Sequence, residues 1–230
     1  MDSFFRLGPF GAPDLAALGL ALALWLGIGW FIENPPKRRV SVSKLMERYR
    51  HEWMAEFVTR QPRIFDATMI DSLRQGTAFF ASASMIAIGG GIALIGNPAM
   101  LGALARDLTL SSGTAGLQLR VALVVAFLAN ALLKFIWAHR LFGYCSIMMA
   151  AVPNDPEHPE ARHRALQAAD INITAAKSFN RGLRSIYFAL GALGWLIGPL
   201  GLVAGSLIVA GLLIRRDFAS TSREVMLRRP

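Results

Sequence analysis

Apolar residues in this chain fall into long unbroken blocks separated by polar stretches. The blocks at 14–32, 76–96, 119–137 and 185–214 each hold about 19 residues or more, enough for a helix to cross a hydrocarbon core of roughly 30 Å. Because they are continuous rather than alternating, they predict helices and not barrel strands. The expected fold is all-α: one polytopic membrane helical bundle over residues 1–230, with about four transmembrane helices and amphipathic cytoplasmic helices at 43–61 and 160–184.

The first of these polar stretches follows the Pro35-Pro36 break. Ser43 is placed to cap a helix in which Leu45, Tyr49, Trp53 and Phe57 recur every four residues, with Met46 and Met54 widening the stripe. Arg48, Arg50, Glu52 and Glu56 lie largely off it, so Tyr49, Trp53 and Phe57 are the expected anchors of a helix docked on the membrane or the bundle. Pro62 ends that helix. A second helical stretch from near Arg63 runs into the second span, and Arg63, Asp66, Asp71 and Arg74 along it are spaced to form a solvated salt-bridge face.

The third apolar stretch carries a conflict. Residues 119–152 read as one membrane-grade segment, yet Asn130, Lys134, His139 and Arg140 lie within it, and ionisable groups at membrane depth normally face a partner, a cavity or a boundary. A helix of that length would be about 51 Å long, so Lys134 would sit about one turn inside the inner boundary. Lysine at the midplane costs about 2.5–3.5 kcal/mol, against about 3–6 returned by roughly eleven Leu, Ile, Val and Phe neighbours. The span inserts regardless. Asn130, Lys134, Trp137 and Arg140 are the expected substrate or ion pathway; the alternative is a snorkelling Lys134 beside a Trp137 of the aromatic belt. Residues 141–152 project beyond the bilayer and need an apolar partner, which the 43–61 helix could supply.

Glycine is patterned too. Gly191, Gly194, Gly198, Gly201 and Gly205 recur at spacings of three and four in the fourth block, a stripe that lets helix backbones approach closely. It predicts a helix-packing seam, with either another span of this chain or a second copy as partner, and Pro199 adds a possible kink. The run Gly89-Gly90-Gly91 marks either tight packing or local unwinding.

Composition agrees with the blocks: 54% of the 230 residues are apolar, and the net charge is +9. In a soluble protein such charge would point to nucleic acid; here much of it flanks spans. The 33–75 loop carries nine Lys/Arg and the 153–184 loop five, against one in the 97–118 loop, which puts the first two in the cytoplasm and the amino terminus outside. Arg215, Arg216, Arg223, Arg228 and Arg229 disagree, because four crossings would leave that tail outside. The first span is expected to be retained rather than cleaved as a signal peptide. The single cysteine, Cys145, cannot form an intramolecular disulfide and is expected to be buried and inert. His158 and His163 misalign on a helix, and His139 stands alone within a span, so neither a metal site nor a two-histidine haem is expected. Without a P-loop, nucleophile elbow, zinc or dinucleotide motif, no catalytic residue and no cofactor are assigned. The expected partners are the lipid bilayer and either a second copy or another membrane protein, with no nucleic acid. The expected location is the cell membrane.

Several of these residues together resemble a family. Trp53-Met54, Arg63-Ile64-Phe65-Asp66-Ala67, Gly76 and Phe79-Phe80-Ala81-Ser82, then Phe135, Trp137 and Arg140, then Phe179-Asn180-Arg181-Gly182-Leu183-Arg184, Tyr187-Phe188 and Trp195 are similar to the membrane family catalogued as domain of unknown function 599. The resemblance implies a multi-span membrane protein and lends no activity. Two functions remain in view: an oligomeric channel or transporter for a small anion, and a non-catalytic scaffold or accessory subunit of a larger membrane complex.

Overall fold

The computed structural model describes residues 10–36, 39–107 and 113–228, and among these every regular element is helical. In chain order they are α1 (Ala12–Glu33), α2 (Val42–Phe57), α3 (Ile64–Ile95), α4 (Pro98–Asp107), α5 (Thr114–Ala150), α6 (Ala161–Ala192), a 3-10 turn (Leu193–Ile197), α7 (Pro199–Phe218) and α8 (Thr221–Leu227). Among the described residues four helices are long and apolar enough to cross a membrane: α1, α3, α5, and α7 with its extension through α8. This is the helix set of a multi-pass membrane protein.

The central helix is α5, which packs most extensively on α6 and α3. It runs unbroken through the polar positions in its apolar run. Ser178 Oγ donates to the Lys134 carbonyl at 2.9 Å, and Asn130 Nδ2 donates to Ser185 Oγ at 2.7 Å. Phe80, Phe135 and Phe179 cluster where α3, α5 and α6 meet. A Cβ on Gly182 would lie 2.7 Å from the Phe135 ring, so the missing side chain sets the α5–α6 approach. α3 is continuous through Gly89-Gly90-Gly91, with only Gly91 in contact, against Val125 of α5. The run is not unwound, and close packing accounts for Gly91 alone, since a Cβ on Gly89 or Gly90 would meet nothing within 4 Å.

The fourth apolar block departs from expectation. Instead of one helix over 185–214, α6 ends at Ala192, a 3-10 turn follows, and Gly198 turns the chain at φ 129° before α7 begins with Pro199 at its first position. That φ suits glycine, and proline is pre-organised for a helix start. The two legs then fold back on each other. Gly191 faces Gly205, and Gly194 faces Gly201; a Cβ on Gly191 would come within 3.0 Å of the Gly205 carbonyl oxygen. The glycine stripe is therefore a seam between two halves of one segment. Gly198 is not part of it: no heavy atom lies within 4 Å of where its Cβ would be, and its role is the turn. With its surface consumed inside the chain, the stripe lends no support to a second copy.

Because α7 runs back, the tail returns to the end from which α1 exits. Arg223 Nε donates to the Val40 carbonyl at 2.8 Å, and Ser43 Oγ to Asp217 Oδ1 at 3.1 Å. α2 caps this end. Its N-cap is Ser41, not Ser43: Ser41 Oγ accepts from Lys44 N–H and donates to the Ile32 carbonyl at 2.9 Å, tying α1 to α2. The buried face of α2 is Leu45, Met54 and Phe57. Tyr49 lies off that face, exposed, with its hydroxyl toward the Met226 carbonyl of α8. Met54, Phe57 and Val58 pack on Cys145, Met149 and Val152, giving the end of α5 the apolar partner it needs. Cys145 is buried among them.

The stretch expected as a solvated salt-bridge face is instead a buried corner. Asp66 is fully buried, accepting from Trp53 Nε1 at 2.6 Å and pairing with Arg60. Arg63 donates to the carbonyls of Val152 and Pro153, both at 2.8 Å, and so satisfies backbone left over beyond the end of α5. Asp71 binds Gln75 rather than an arginine.

Two outcomes follow from the hairpin. Gly201→Ala should cost about 1–3 kcal/mol through overpacking, seen as a lowered thermal midpoint in detergent, whereas Gly211→Ala, which meets nothing within 4 Å, should leave it unchanged. In a Cys145→Ser background, cysteines at Arg39 and Ser222 should label from the same side of the membrane and one at Ala115 from the other. A single crossing between residues 185 and 214 would instead put Ser222 with Ala115.

Candidate functional site: a charged cleft around Glu33

Glu33 is the last residue of α1, an unfavourable place for a carboxylate because the helix dipole is negative there. Two arginines of α6 make it tenable. Arg181 Nε donates to Glu33 Oε1 at 2.9 Å, and Arg184 pairs with the same carboxylate. The Arg184 side chain is only 8% exposed while that of Arg181 is 49% exposed, so the inner pair is desolvated and the outer one solvated. The Arg184 guanidinium lies along α1 beside Gly29, where a Cβ would make an ordinary contact, 3.5 Å from Arg184 Nε.

On either side of this ion pair lies a cavity. The first, about 310 Å³, is roofed by α2 and lined by Glu33, Glu47, Arg50, Lys177, Arg184, Arg216 and Asp217 among others. Glu47 pairs with Lys44 and Lys177, at 3.0 and 3.1 Å. Asp217 is 4% exposed and accepts only from Ser43 among the described residues. Arg50 binds the Asn172 side-chain carbonyl, and burial lowers its guanidinium pKa from the ordinary value. The second cavity, about 420 Å³, lies between α1, α5 and α6 and is lined by Trp25, Leu26, Trp30, Asn130, Lys134 and Arg181, with Glu33 and Arg184 as its shared wall. Its rim residues Leu26 and Trp30 are 63% and 68% exposed, so it opens on the flank of the bundle.

The sequence-derived pathway residues are thus divided. Asn130 and Lys134 line the second cavity together, and among the described residues nothing pairs with the Lys134 ammonium. Trp137 and Arg140 lie outside that lining, both exposed, with Arg140 bonded to Tyr144 of its own helix. Turning one helix by three residues moves a side chain about 60° back from its starting direction, and neighbouring α6 covers only part of the face. The set around Glu33 is not among the site residues expected from the sequence: Arg181 and Arg184 belong to the family-resemblance motif, and no spacing signal links them to Glu33, about 150 residues earlier in the chain.

The opposite end of the bundle has its own buried charge pair. Asp14, in the first turn of α1, accepts from Trp195 Nε1 at 2.8 Å and lies 3.4 Å from Arg120 of α5, whose Nη1 reaches the Leu196 carbonyl. Arg120 is 7% exposed. It is the second residue of the third apolar block, where the sequence alone gives it no partner. Between the two ends Ala17, Ala21, Phe127, Phe188, Trp195 and Leu202 form the main apolar core.

A family model described as "Protein of unknown function, DUF599" matches residues 16–222. No curated protein and no solved structure matches the chain. Some of the motifs that carried the resemblance fall at structural joints: Trp53, Arg63 and Asp66 at the α2–α3 corner, Arg181 and Arg184 beside Glu33, Gly182 against Phe135, and Trp195 at the hairpin turn, whereas Phe79, Trp137 and Arg140 are exposed.

Glu33→Gln should leave the buried Arg184 without its counter-charge and cost about 3–5 kcal/mol. Arg181→Gln removes a half-exposed partner and should cost less than about 1 kcal/mol. Thermal unfolding of the two variants in one detergent checks this order; equal losses would show that the inner and outer pairs are not distinct.

Proposed function

Since the chain belongs to the DUF599 family, whose description assigns no activity, we propose from the site itself that this protein is a carrier of small anions. The observation that carries this reading is the charge in the flank cleft. Arg181 and Arg184 share one carboxylate, and Lys134 adds a cation with no partner among the described residues. In a partly desolvated cleft an unpaired ammonium attracts an anion far more strongly than it would in water. The Glu33–Arg184 pair separates this cleft from the α2-roofed cavity, so its opening would join the two. α2 is the natural cover of the inner cavity, held by Ser43–Asp217 and Glu47–Lys177.

The hairpin supports one orientation. With the tail beside the loop after α1, the basic residues Arg39, Arg215, Arg216, Arg223 and Arg228 gather with the 33–75 and 153–184 segments, and the positive-inside tendency puts that end in the cytoplasm of a cell membrane. The tail then no longer conflicts. The roofed cavity faces inward.

A second reading, an accessory subunit of a larger assembly or a homo-oligomer, is favoured by α3. Only 6% of its spanning window is covered, against 22–28% for the other three candidate spans, which leaves room for a partner helix. Mass measurement in mild detergent separates the possibilities. Foreign subunits that co-purify favour the accessory role, and a symmetric oligomer is compatible with a carrier.

Proteoliposomes should pass small anions more readily than cations, and Lys134→Met should reduce this flux several-fold with unchanged folded yield. Asn130→Leu should have a smaller effect, since it removes a hydrogen-bonding group rather than a charge. No flux of either sign from wild-type vesicles, or full flux from Lys134→Met, would reject the carrier reading.

A further inference from the structure

The flank cleft has a mixed character that a dissolved ion does not need. Its inner wall is cationic and polar, formed by Lys134, Arg181 and Asn130, while its rim is the aromatic and aliphatic set Trp25, Leu26 and Trp30. Outside the lining, on α5, Leu133 next to Lys134 and Trp137 one turn on are 65% and 49% exposed. The cleft also lies at the end of the apolar run of α1, with Trp30 one turn before Glu33 and Asn34 just beyond. Tryptophan at such a level marks the headgroup region, and basic pockets between transmembrane helices recognise anionic headgroups there.

We infer that this cleft is a binding site for the headgroup of an anionic phospholipid, whose phosphate sits between Lys134 and Arg181 and whose acyl chains run along Leu26, Trp30 and Leu133. The charge count supports an anion over a zwitterion. Arg184 and one face of Arg181 are already matched by Glu33, which leaves Lys134 and the outward-facing part of the half-exposed Arg181 for a ligand. An amine- or choline-bearing headgroup would bring its own cation close to Lys134. A negatively charged headgroup with no such cation avoids that repulsion. Asn130 spends its amide on Ser185, so its remaining carbonyl oxygen at the inner end of the cleft suits a hydroxyl of the headgroup. The assignment shares the cleft with the carrier reading but not the transport step.

The test uses the protein in vesicles that contain brominated phosphatidylglycerol or brominated phosphatidylcholine, with quenching of tryptophan fluorescence as the readout. The component assigned to the cleft is the part lost in Trp30→Phe. That component should be quenched at about fivefold lower mole fraction of the anionic lipid, the preference expected of about one unpaired basic group near the surface. Lys134→Met should abolish the preference and Lys134→Arg should retain it, which separates loss of charge from loss of fold. Equal quenching by the two lipids in the wild type overturns the assignment. So does loss of the preference on adding millimolar inorganic phosphate, because the occupant is then a free anion. A retained preference without anion flux sinks the carrier reading alone, and flux without preference sinks this one alone.

Discussion

The fold depends on how closely two backbones approach across Gly191–Gly205 and Gly194–Gly201. In lipid no hydrophobic force drives one apolar helix onto another, so contact area and shape decide association. Four missing side chains let the second half of α6 and α7 meet at backbone distance, and Gly198, at a φ few other residues adopt, lets the chain reverse between them. Everything at the α2 end then follows. Asp217 reaches Ser43, Arg223 reaches Val40, and α8 lies against Tyr49. Had the fourth block continued straight, these groups would lie a bilayer apart, and the inner cavity would lack Arg216 and Asp217 from its wall.

Buried charge is handled differently at the two ends. At the hairpin end Asp14 lies in the first turn of α1, where the helix dipole favours it, and is held by Arg120, the Trp195 indole and the Gly11 N–H. At the other end Glu33 opposes the dipole and recruits two arginines, one buried and one half-exposed. Desolvated pairs are costly to break from one side, so both ends act as clamps on α1. Beside Glu33 the structure also places Lys134, whose ammonium has no partner among the described residues.

The joints occupied by the family-resemblance motifs explain why no reaction could be read from them. Asp66 holds the Trp53 indole, Arg63 closes the carbonyls after α5, and Gly182 admits the Phe135 ring. These side chains face other side chains and backbone. Some motif residues also line cavities: Gly76, Phe179 and Asn180 the α2-roofed one, Arg181 the flank cleft, and Arg184 both, the two arginines while neutralising Glu33.

Hydropathy alone determined that the chain is a helical membrane protein and where most of its spans lie, because a long apolar run has one stable state in a bilayer whatever its neighbours. Periodicity likewise identified the small face of the fourth block and the amphipathic character of α2, since a face depends only on local helical geometry. Partners were another matter. Spacing showed that Gly191, Gly194, Gly201 and Gly205 form a stripe but not that the stripe closes on itself, which depends on one dihedral at Gly198. It showed that Asn130 and Lys134 share a face but included Trp137 and Arg140, which α6 leaves uncovered. Tyr49 satisfied the repeat and still missed the core, where Leu45, Met54 and Phe57 are buried while Tyr49 faces α8. The arginines at Arg63, Arg120 and Arg184 carried the same sequence signal as any boundary charge; only the fold decided which of them would meet a carbonyl, an aspartate or a glutamate, because each of those partners lies in a different element of the chain.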